Sequence, residues 1–278
     1  MSKKTKKTLK EEEYLHGFSR NEQDRLYRQA RFLESWVFEG INFVPFQSML
    51  EIGCGVGAQT KILAEKFPHL QITAVDISPQ QLSRAREHLK PEIAKGQVKL
   101  IQAHANELPF VDNTFDVAFS TWFLEHVKEP VQILSEVRRV LKSEAFVHLN
   151  EVLNATLFLH PYSPATLKYW FEFNDHQWNL GGDPFVGAKL GNYLMAAGFQ
   201  NCATEVVTYH FDNRWPKKRA DFIDDWTGVL LSGAPGLIGA NKVSATLVEE
   251  MQKELKLLKE SPDSVFFNSW VKAKAQAF

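Results

Sequence analysis

The chain has little cysteine, with only Cys54 and Cys202 among 278 residues. Two cysteines supply neither a disulfide framework nor the ligands of a metal cluster. Long apolar runs are also missing: no stretch is long enough to cross a bilayer, and no signal-peptide core follows the N-terminal lysines of MSKKTKKTLK. We therefore expect no bound metal, no membrane span and a reducing, cytoplasmic location.

An excess of charge of one sign is missing as well. Lys and Arg together number 32, and Asp and Glu number 33. A near-neutral chain has no general basic field to attract nucleic acid, and the basic cluster at the N-terminus is typical of a solvated tail. The composition favours small-molecule partners over nucleic acid and leaves the oligomeric state open.

What the chain does contain is an alternation of strand and helix patterns. The runs FQSMLEI, QITAVDI, VKLIQAHA, TFDVAFST and AFVHLNEVL are typical of strands. The segments GAQTKILAEKF, SPQQLSRAREHLK and EPVQILSEVRRVLK have the apolar spacing of helices. Repeated strand-then-helix units at short spacing predict an α/β fold with a Rossmann-like, doubly wound parallel sheet.

The segments around this core predict its boundaries. Residues 1–44 are expected to form a tail and a cap helix, which Ser19 begins with Glu22 as its capping box. Residues 45–278 form the main domain, with lid insertions at about 155–190, which is rich in aromatics, and at about 215–262. The second insertion is predicted as two helices around the loop SGAPGLIG. The segments NCATEVVTYHF and SVFFNSWVKAKAQAF are predicted as the last two strands.

A glycine-rich turn lies in MLEIGCGVGAQT, residues 49–60. Gly53, Gly55 and Gly57 follow a strand and open a helix, where glycine allows positive φ and close approach of a ligand. The run satisfies G-x-G-x-x-G/A, and Asp76 ends the next strand, where a ribose diol would be held. This local pattern fits a nicotinamide cofactor, another adenosine cofactor or a tight turn without a ligand.

Two further features favour one cofactor class. Glu51 lies two residues before Gly53, and its carboxylate repels a pyrophosphate but suits a cofactor with a cationic amino acid end. The pieces LEIGCGVG, AVDIS, NELPF…NTFDVAFS, LEHV and RRVLK then occur in order over roughly residues 45–155. With these pieces, the chain resembles the class I S-adenosylmethionine-dependent methyltransferases.

The resemblance implies a fold, a cofactor and site residues. It implies a mainly parallel seven-stranded sheet with an antiparallel last strand and a helical lid. The cofactor would be S-adenosylmethionine, and S-adenosylhomocysteine the product. The expected contacts are Glu51, Gly53 and Gly55 at the methionine end, Asp76, Ile77 and Gln81 around the ribose and adenine face, His104, Ala105 and Asn106 at the adenine edge, Ser120, Thr121 and Trp122 near the methionine, and Tyr14 from the N-terminal segment. His104 departs from the family, which commonly has an aspartate there.

The expected activity is methyl transfer to an O, N or C atom of a small organic molecule. His126 follows the strand end where substrate enters and is the candidate base, although a packing role fits it as well. STWF stands where nucleic-acid amino-methyltransferases carry [N/D/S]-P-P-[Y/F], and the aromatic segment favours a small apolar acceptor. A nucleotide-dependent oxidoreductase and a non-catalytic binding protein on the same scaffold remain the alternatives.

Overall fold

The computed structural model describes residues 15–278, and they contain one seven-stranded sheet. The strands are β1 (Ser48–Ile52), β2 (Gln71–Asp76), β3 (Val98–Gln102), β4 (Phe115–Thr121), β5 (Leu141–His160), β6 (Gln200–Phe211) and β7 (Val265–Gln276). They lie in the order β3-β2-β1-β4-β5-β7-β6. β1 to β5 pair in parallel, and β7 runs antiparallel between β5 and β6. The predicted fold class is confirmed.

Helices cover both faces of this sheet. They are α1 (Arg20–Phe38), α2 (Ala58–Lys66), α3 (Pro79–His88), α4 (Lys90–Ala94), α5 (Pro130–Val140), α6 (Pro164–Asn179), α7 (Leu190–Ala196), α8 (Pro216–Gly239) and α9 (Ala245–Glu260). The Ser19 hydroxyl accepts the backbone N–H of Glu22 at 3.2 Å, so α1 begins at the predicted cap. Within residues 15–278, no helix is both long and apolar enough to span a bilayer.

The central strands are apolar because both of their faces are covered. Met49 and Leu50 of β1 are fully buried, and they belong to two separate clusters, one on each side of the sheet. Val117 and Ala118 of β4 divide between the two clusters in the same way. A continuous apolar run is the pattern of a parallel strand buried on both faces. Because alternate side chains point to opposite faces, each such strand contributes to both clusters of the core.

The two predicted lid insertions pack against each other. α6 contacts both α8 and α9, and α1 packs on α8. The Glu254 carboxylate of α9 accepts the first backbone N–H groups of α6, from Ala165 at 3.0 Å and from Thr166 at 2.7 Å. A carboxylate at a helix N-terminus satisfies donors that the helix itself leaves unpaired. The exact domain boundaries remain a prediction.

The prediction of a loop at SGAPGLIG is wrong, because this segment forms the last part of α8. Pro235 lies inside the helix, where it removes one N–H donor without ending the helix. Gly233 is a packing residue: a Cβ atom there would lie 2.8 Å from the Phe173 ring of α6. Local glycine and proline content suggested a break, but the tertiary contact between α8 and α6 favours the helix.

Candidate active site

The glycine turn is tied to the neighbouring strand. The backbone N–H groups of Gly53 and Cys54 donate to the Val75 carbonyl at 2.9 and 3.0 Å. Gly53 has φ of +71°, and a Cβ atom there would lie 2.4 Å from the Phe123 ring. Both the backbone conformation and the close approach of Phe123 therefore require glycine at this position.

Asp76 at the end of β2 lies across this turn. Its Oδ2 atom accepts the Gly55 N–H at 2.8 Å, and its Oδ1 atom accepts the Ser78 N–H at 2.8 Å. Each carboxylate oxygen offers about two acceptor sites, so an oriented carboxylate can still accept from two hydroxyls. The carboxylate predicted to hold a ribose diol thus lies beside the glycine turn.

Glu51 is a buried carboxyl group whose Oε2 atom has no hydrogen-bond partner within residues 15–278. Burial raises the pKa of Glu51 to about 8, and the nearby Asp76 charge adds to the rise. On α2, both side-chain amide atoms of Gln59 are also buried without a partner in this part of the chain. Unpaired buried polar groups are costly, and these three atoms fit the ammonium and carboxylate of an amino acid.

These residues border a single cavity of about 600 Å³ at the carboxyl ends of the parallel strands. Open α/β sheets bind ligands in this place. The cavity brings together most of the predicted site residues, namely Glu51, Gly53, Gly55, Asp76, Ile77, Gln81, His104, Ala105, Asn106, Thr121, Trp122 and His126. Segments from β1 to β4 therefore meet where the sequence pattern placed them.

Ser120 does not border the cavity, in contrast to our expectation. Its side chain is buried, and its hydroxyl donates to the Ile52 carbonyl at 3.0 Å. Successive side chains of a strand point to opposite faces, so Ser120 and Thr121 cannot both face the same pocket. Tyr14, the other predicted contact, lies outside the described residues.

The predicted adenine edge has its polar groups arranged differently from the expectation. The Nδ1 atom of His104 accepts the backbone N–H of Asn106 at 3.3 Å, so it is already engaged. The Oδ1 atom of Asn106 is buried and unpaired among the described residues. Asn106 therefore offers the unsatisfied acceptor at this end, while Gln81 accepts from the Gln23 side chain at 3.1 Å.

The loop after β4 is held by a residue that the sequence analysis did not select. Glu151 of β5 is fully buried and accepts the backbone N–H groups of Phe123 at 3.1 Å and Leu124 at 2.8 Å. Burial raises the pKa of Glu151 to about 8. In the same loop, Trp122 has φ of +52°, a conformation rare for a bulky residue and typical of strained functional sites. An acidic residue inside an apolar strand pattern was the signal for Glu151.

His126 faces the cavity within a polar cluster. Its Nε2 atom lies 3.7 Å from the Glu125 carboxylate, and its ring centroid is 6.4 Å from that of His16. Glu125 also accepts the Gln177 side-chain amide at 2.8 Å. The Nδ1 atom of His16 and the Ser232 hydroxyl are 2.6 Å apart, which links the segment before α1 to α8. Burial lowers the pKa of His16, so this imidazole is neutral near pH 7.

The wall opposite the glycine turn is aromatic. It comes from α6, α8, β6 and β7, through Trp170, Phe173, Tyr209, Phe222, Trp226 and Trp270. Of the aromatic segment 155–190, Trp170 and Phe173 reach the cavity. Phe158, Tyr162, Phe171 and Trp178 are exposed instead. Within α6, helical periodicity places Trp170 and Phe173 toward the cavity and Phe171 and Trp178 toward the surface.

Comparisons with known proteins agree with this geometry. Residues 50–149 match the family model described as a methyltransferase domain. Sterol methyltransferase-like 3 of Botryococcus braunii is 33% identical over 124 residues, covering 44% of this chain and 31% of that protein. The O-methyltransferase cnsE of Penicillium expansum is 31% identical over 182 residues, covering 64% of this chain and 58% of that protein. The chain thus spans from about a third to three fifths of the length of these relatives.

A solved structure has the same fold. The phosphoethanolamine N-methyltransferase 2 of Haemonchus contortus, in complex with S-adenosyl-L-methionine, superposes with a TM-score of 0.53 at 20% identity. The match covers 91% of this chain and 52% of that one. The sheet order, the glycine turn with Glu51 and Asp76, and the family match together identify residues 50–149 as a class I S-adenosylmethionine-dependent methyltransferase domain, a family whose cofactor is S-adenosylmethionine.

Proposed function

We propose that this protein transfers the methyl group of S-adenosylmethionine to an O, N or C atom of a small organic molecule. One observation carries the proposal: the unpaired buried carboxylate of Glu51 and the oriented carboxylate of Asp76 border the same cavity as an aromatic wall. The carboxylates suit a cationic adenosyl cofactor, and the wall suits an apolar acceptor.

The residues present fit this cofactor. Glu51 would accept hydrogen bonds from the ammonium, and the Gln59 amide would pair with the amino acid carboxylate. Asp76 would hold the ribose hydroxyls, and Asn106 would accept the adenine amino group at its unpaired Oδ1 atom. When bound, S-adenosylmethionine supplies an electrophilic methyl group on its sulfonium.

The chain's own contribution is then alignment and exclusion of water. A well-oriented encounter supplies about 7–11 kcal/mol of barrier reduction. The α6 and α8 side chains close the cavity opposite the turn. Where the acceptor is an O–H or N–H group, His126 would take its proton, which is worth about 10²–10⁴-fold in rate. Glu125 and His16 flank the His126 ring.

A small-molecule acceptor is favoured over nucleic acid. The cavity wall is aromatic, and the formal net charge of the chain is −1. Nucleic-acid binding depends on Lys and Arg contacts to phosphate, which a near-neutral chain is poorly equipped to supply.

Calorimetry separates this function from the two alternatives. S-adenosylhomocysteine should bind with a dissociation constant on the order of micromolar, and NADH should not bind. Binding of NADH alone would instead support a nucleotide-dependent oxidoreductase. Incubation with methyl-labelled cofactor and metabolite extracts should then yield a labelled product by mass spectrometry. Cofactor binding without labelled product in broad extracts would favour a non-catalytic binding protein.

A further inference from the structure

The aromatic side of the cavity is lined by side chains of the helices and strands that follow β5, and we call it the aromatic chamber. Its walls are Trp170 and Phe173 of α6, Phe222 and Trp226 of α8, Tyr209 of β6 and Trp270 of β7. The Trp270 ring lies 6.1 Å from that of Trp122, which connects the chamber to the loop after β4. These residues come from segments outside the matched methyltransferase domain, residues 50–149, so the family match does not account for them.

Two polar atoms in this wall lack a well-formed hydrogen bond within residues 15–278. Tyr209 is 5% exposed and Trp270 is 3% exposed. Tyr209 Oη and Trp270 Nε1 are both buried and, among the described residues, make no hydrogen bond of acceptable geometry. The two rings are stacked with centroids 6.3 Å apart; burial raises the pKa of the Tyr209 phenol, and the adjacent Trp270 indole opposes that rise. Buried hydroxyl and indole groups usually have a partner, so these two point to a ligand.

A carboxyl group faces the same space. Asp225 borders the cavity one turn of α8 after Phe222 and beside Trp226. Tyr209 lines the same cavity, and burial, together with the Asp225 charge, raises the pKa of its phenol. Burial raises the pKa of Asp225 to about 6, against the opposing charges of Arg25 and Arg28. The Arg25 guanidinium is itself held by Glu22 through two contacts of 2.7 and 2.6 Å.

The chamber thus presents two donors, the Tyr209 O–H and the Trp270 N–H, and one acceptor, the Asp225 carboxylate. An all-hydrocarbon ligand would leave the Tyr209 and Trp270 donors without an acceptor. An ammonium has only donors and would leave Tyr209 and Trp270 without an acceptor. A carboxylate would be repelled by Asp225. A hydroxyl group donates once and accepts twice, which matches the set.

We propose that the aromatic chamber binds an apolar, ring-containing molecule through a hydroxyl group, with Tyr209 and Trp270 donating to the oxygen and Asp225 accepting its hydrogen. That this molecule is the methyl acceptor rests on the function proposed above. The recognition itself is a property of the chamber and is testable without any transfer of a methyl group.

The test uses four probes with the same ring system. 1-Naphthol, 1-methylnaphthalene, 1-naphthylmethylamine and 1-naphthoate are titrated into the whole chain at pH 7, with and without S-adenosylhomocysteine. We expect 1-naphthol to bind at least about tenfold more tightly than the other three, as one or two extra hydrogen bonds would give. Equal affinity for 1-naphthol and 1-methylnaphthalene overturns the proposal, and so does a preference for the amine or the acid.

A conservative variant tests whether the preference for 1-naphthol arises in the aromatic chamber. Tyr209→Phe removes only the phenol hydroxyl, which makes no well-formed hydrogen bond to a described residue, so the protein should fold normally and bind 1-methylnaphthalene as before. Its affinity for 1-naphthol should fall about tenfold. Tyr162→Phe, at a site that is 77% exposed and outside the cavity, is the matched control and should change neither affinity. An unchanged preference in Tyr209→Phe overturns the proposal.

The two proposals fail in different ways. Loss of S-adenosylhomocysteine binding would refute methyl transfer while leaving a preference for 1-naphthol in place. Binding of S-adenosylhomocysteine without that preference would refute the hydroxyl chamber alone. The calorimetric titrations with the four probes therefore report on the chamber whatever the cofactor result.

Discussion

The Oδ2 atom of Asp76 accepts the backbone N–H of Gly55 at 2.8 Å, so the residue that ends β2 holds the turn that follows β1. The same carboxylate is the predicted partner of the ribose diol. In this proposal, one side chain both holds the shape of the turn and binds the ligand.

The first prediction concerns this carboxylate. Asp76→Ala should weaken S-adenosylhomocysteine binding by more than about tenfold, because it removes charge-assisted hydrogen bonds and an anchor of the turn. Calorimetry measures the change. Asp221→Ala, on the exposed side of α8, is the control and should bind normally. Unchanged affinity in Asp76→Ala would overturn the assignment of the ribose site.

The second prediction follows from the buried carboxyl group of Glu51. Its pKa is about 8 in the folded protein, against an ordinary value of 4.5. The folded state therefore holds a proton that the unfolded state has lost, and Glu51 weakens the fold as pH rises from about 4.5 to about 8. Glu51→Gln carries no titrating group, so its stability relative to wild type should increase over this pH range. Chemical denaturation at pH 5 and pH 8 measures the difference.

Ionisation of Glu51 destabilises the fold but should strengthen cofactor binding. A cationic cofactor prefers ionised Glu51, so affinity for S-adenosylmethionine should rise with pH toward about 8 in the wild type. In Glu51→Gln this dependence should flatten. If Glu51→Gln kept the full pH dependence of both stability and affinity for S-adenosylmethionine, Glu51 would not titrate as the structure indicates.

The third prediction compares two glycines of one turn. Both have positive φ, but a Cβ atom at Gly53 would lie 2.4 Å from Phe123, whereas at Gly55 it would meet nothing within 4 Å. Gly55→Ala should cost about 1–2 kcal/mol of unfolding free energy. Gly53→Ala should cost a further 1–3 kcal/mol or so from the clash. Denaturant unfolding measures both, and equal losses would contradict the packing of Phe123 against the turn.

The fourth prediction tests the continuous helix α8. Gly233→Ala places a Cβ atom 2.8 Å from Phe173, so it should destabilise the protein by about 1–3 kcal/mol despite the helix preference of alanine. Gly236→Ala meets its nearest atom at 3.6 Å and should stabilise by up to about 1 kcal/mol. If SGAPGLIG were a loop, neither substitution would show this difference in thermal unfolding.

The fifth prediction separates the two roles of His126. His126→Asn should lower the rate of methyl transfer to an O–H or N–H acceptor by at least about a hundredfold, because it removes the proposed base. Binding of S-adenosylhomocysteine should stay unchanged, as measured by calorimetry. A variant that retains its rate would assign His126 to packing between Glu125 and His16.

Much of the predicted cofactor-binding side of the cavity could be located from the sequence, because its motifs lie within short segments. The turn residues Gly53 and Gly55, together with Glu51 and Asp76, end two adjacent parallel strands, and strand alternation with helix sets where those ends meet. Ser120 shows the limit of this reasoning. Its position at the end of β4 was predicted correctly, but the face to which its side chain points depends on the strand's register.

The sequence by itself determined the order of strands and helices and the glycine turn, because each depends on residues within one or two neighbouring elements. It also indicated the class of cofactor, through Glu51 and the ordered motifs over roughly residues 45–155. Only the tertiary structure decided the aromatic chamber, in which Trp170, Tyr209, Asp225 and Trp270 come from four separate elements. It also decided the course of α8, where packing of Gly233 against Phe173 outweighs the local preference for a loop. Contacts between distant segments have no periodicity in the chain, and their geometry exists only once the helices pack on the sheet.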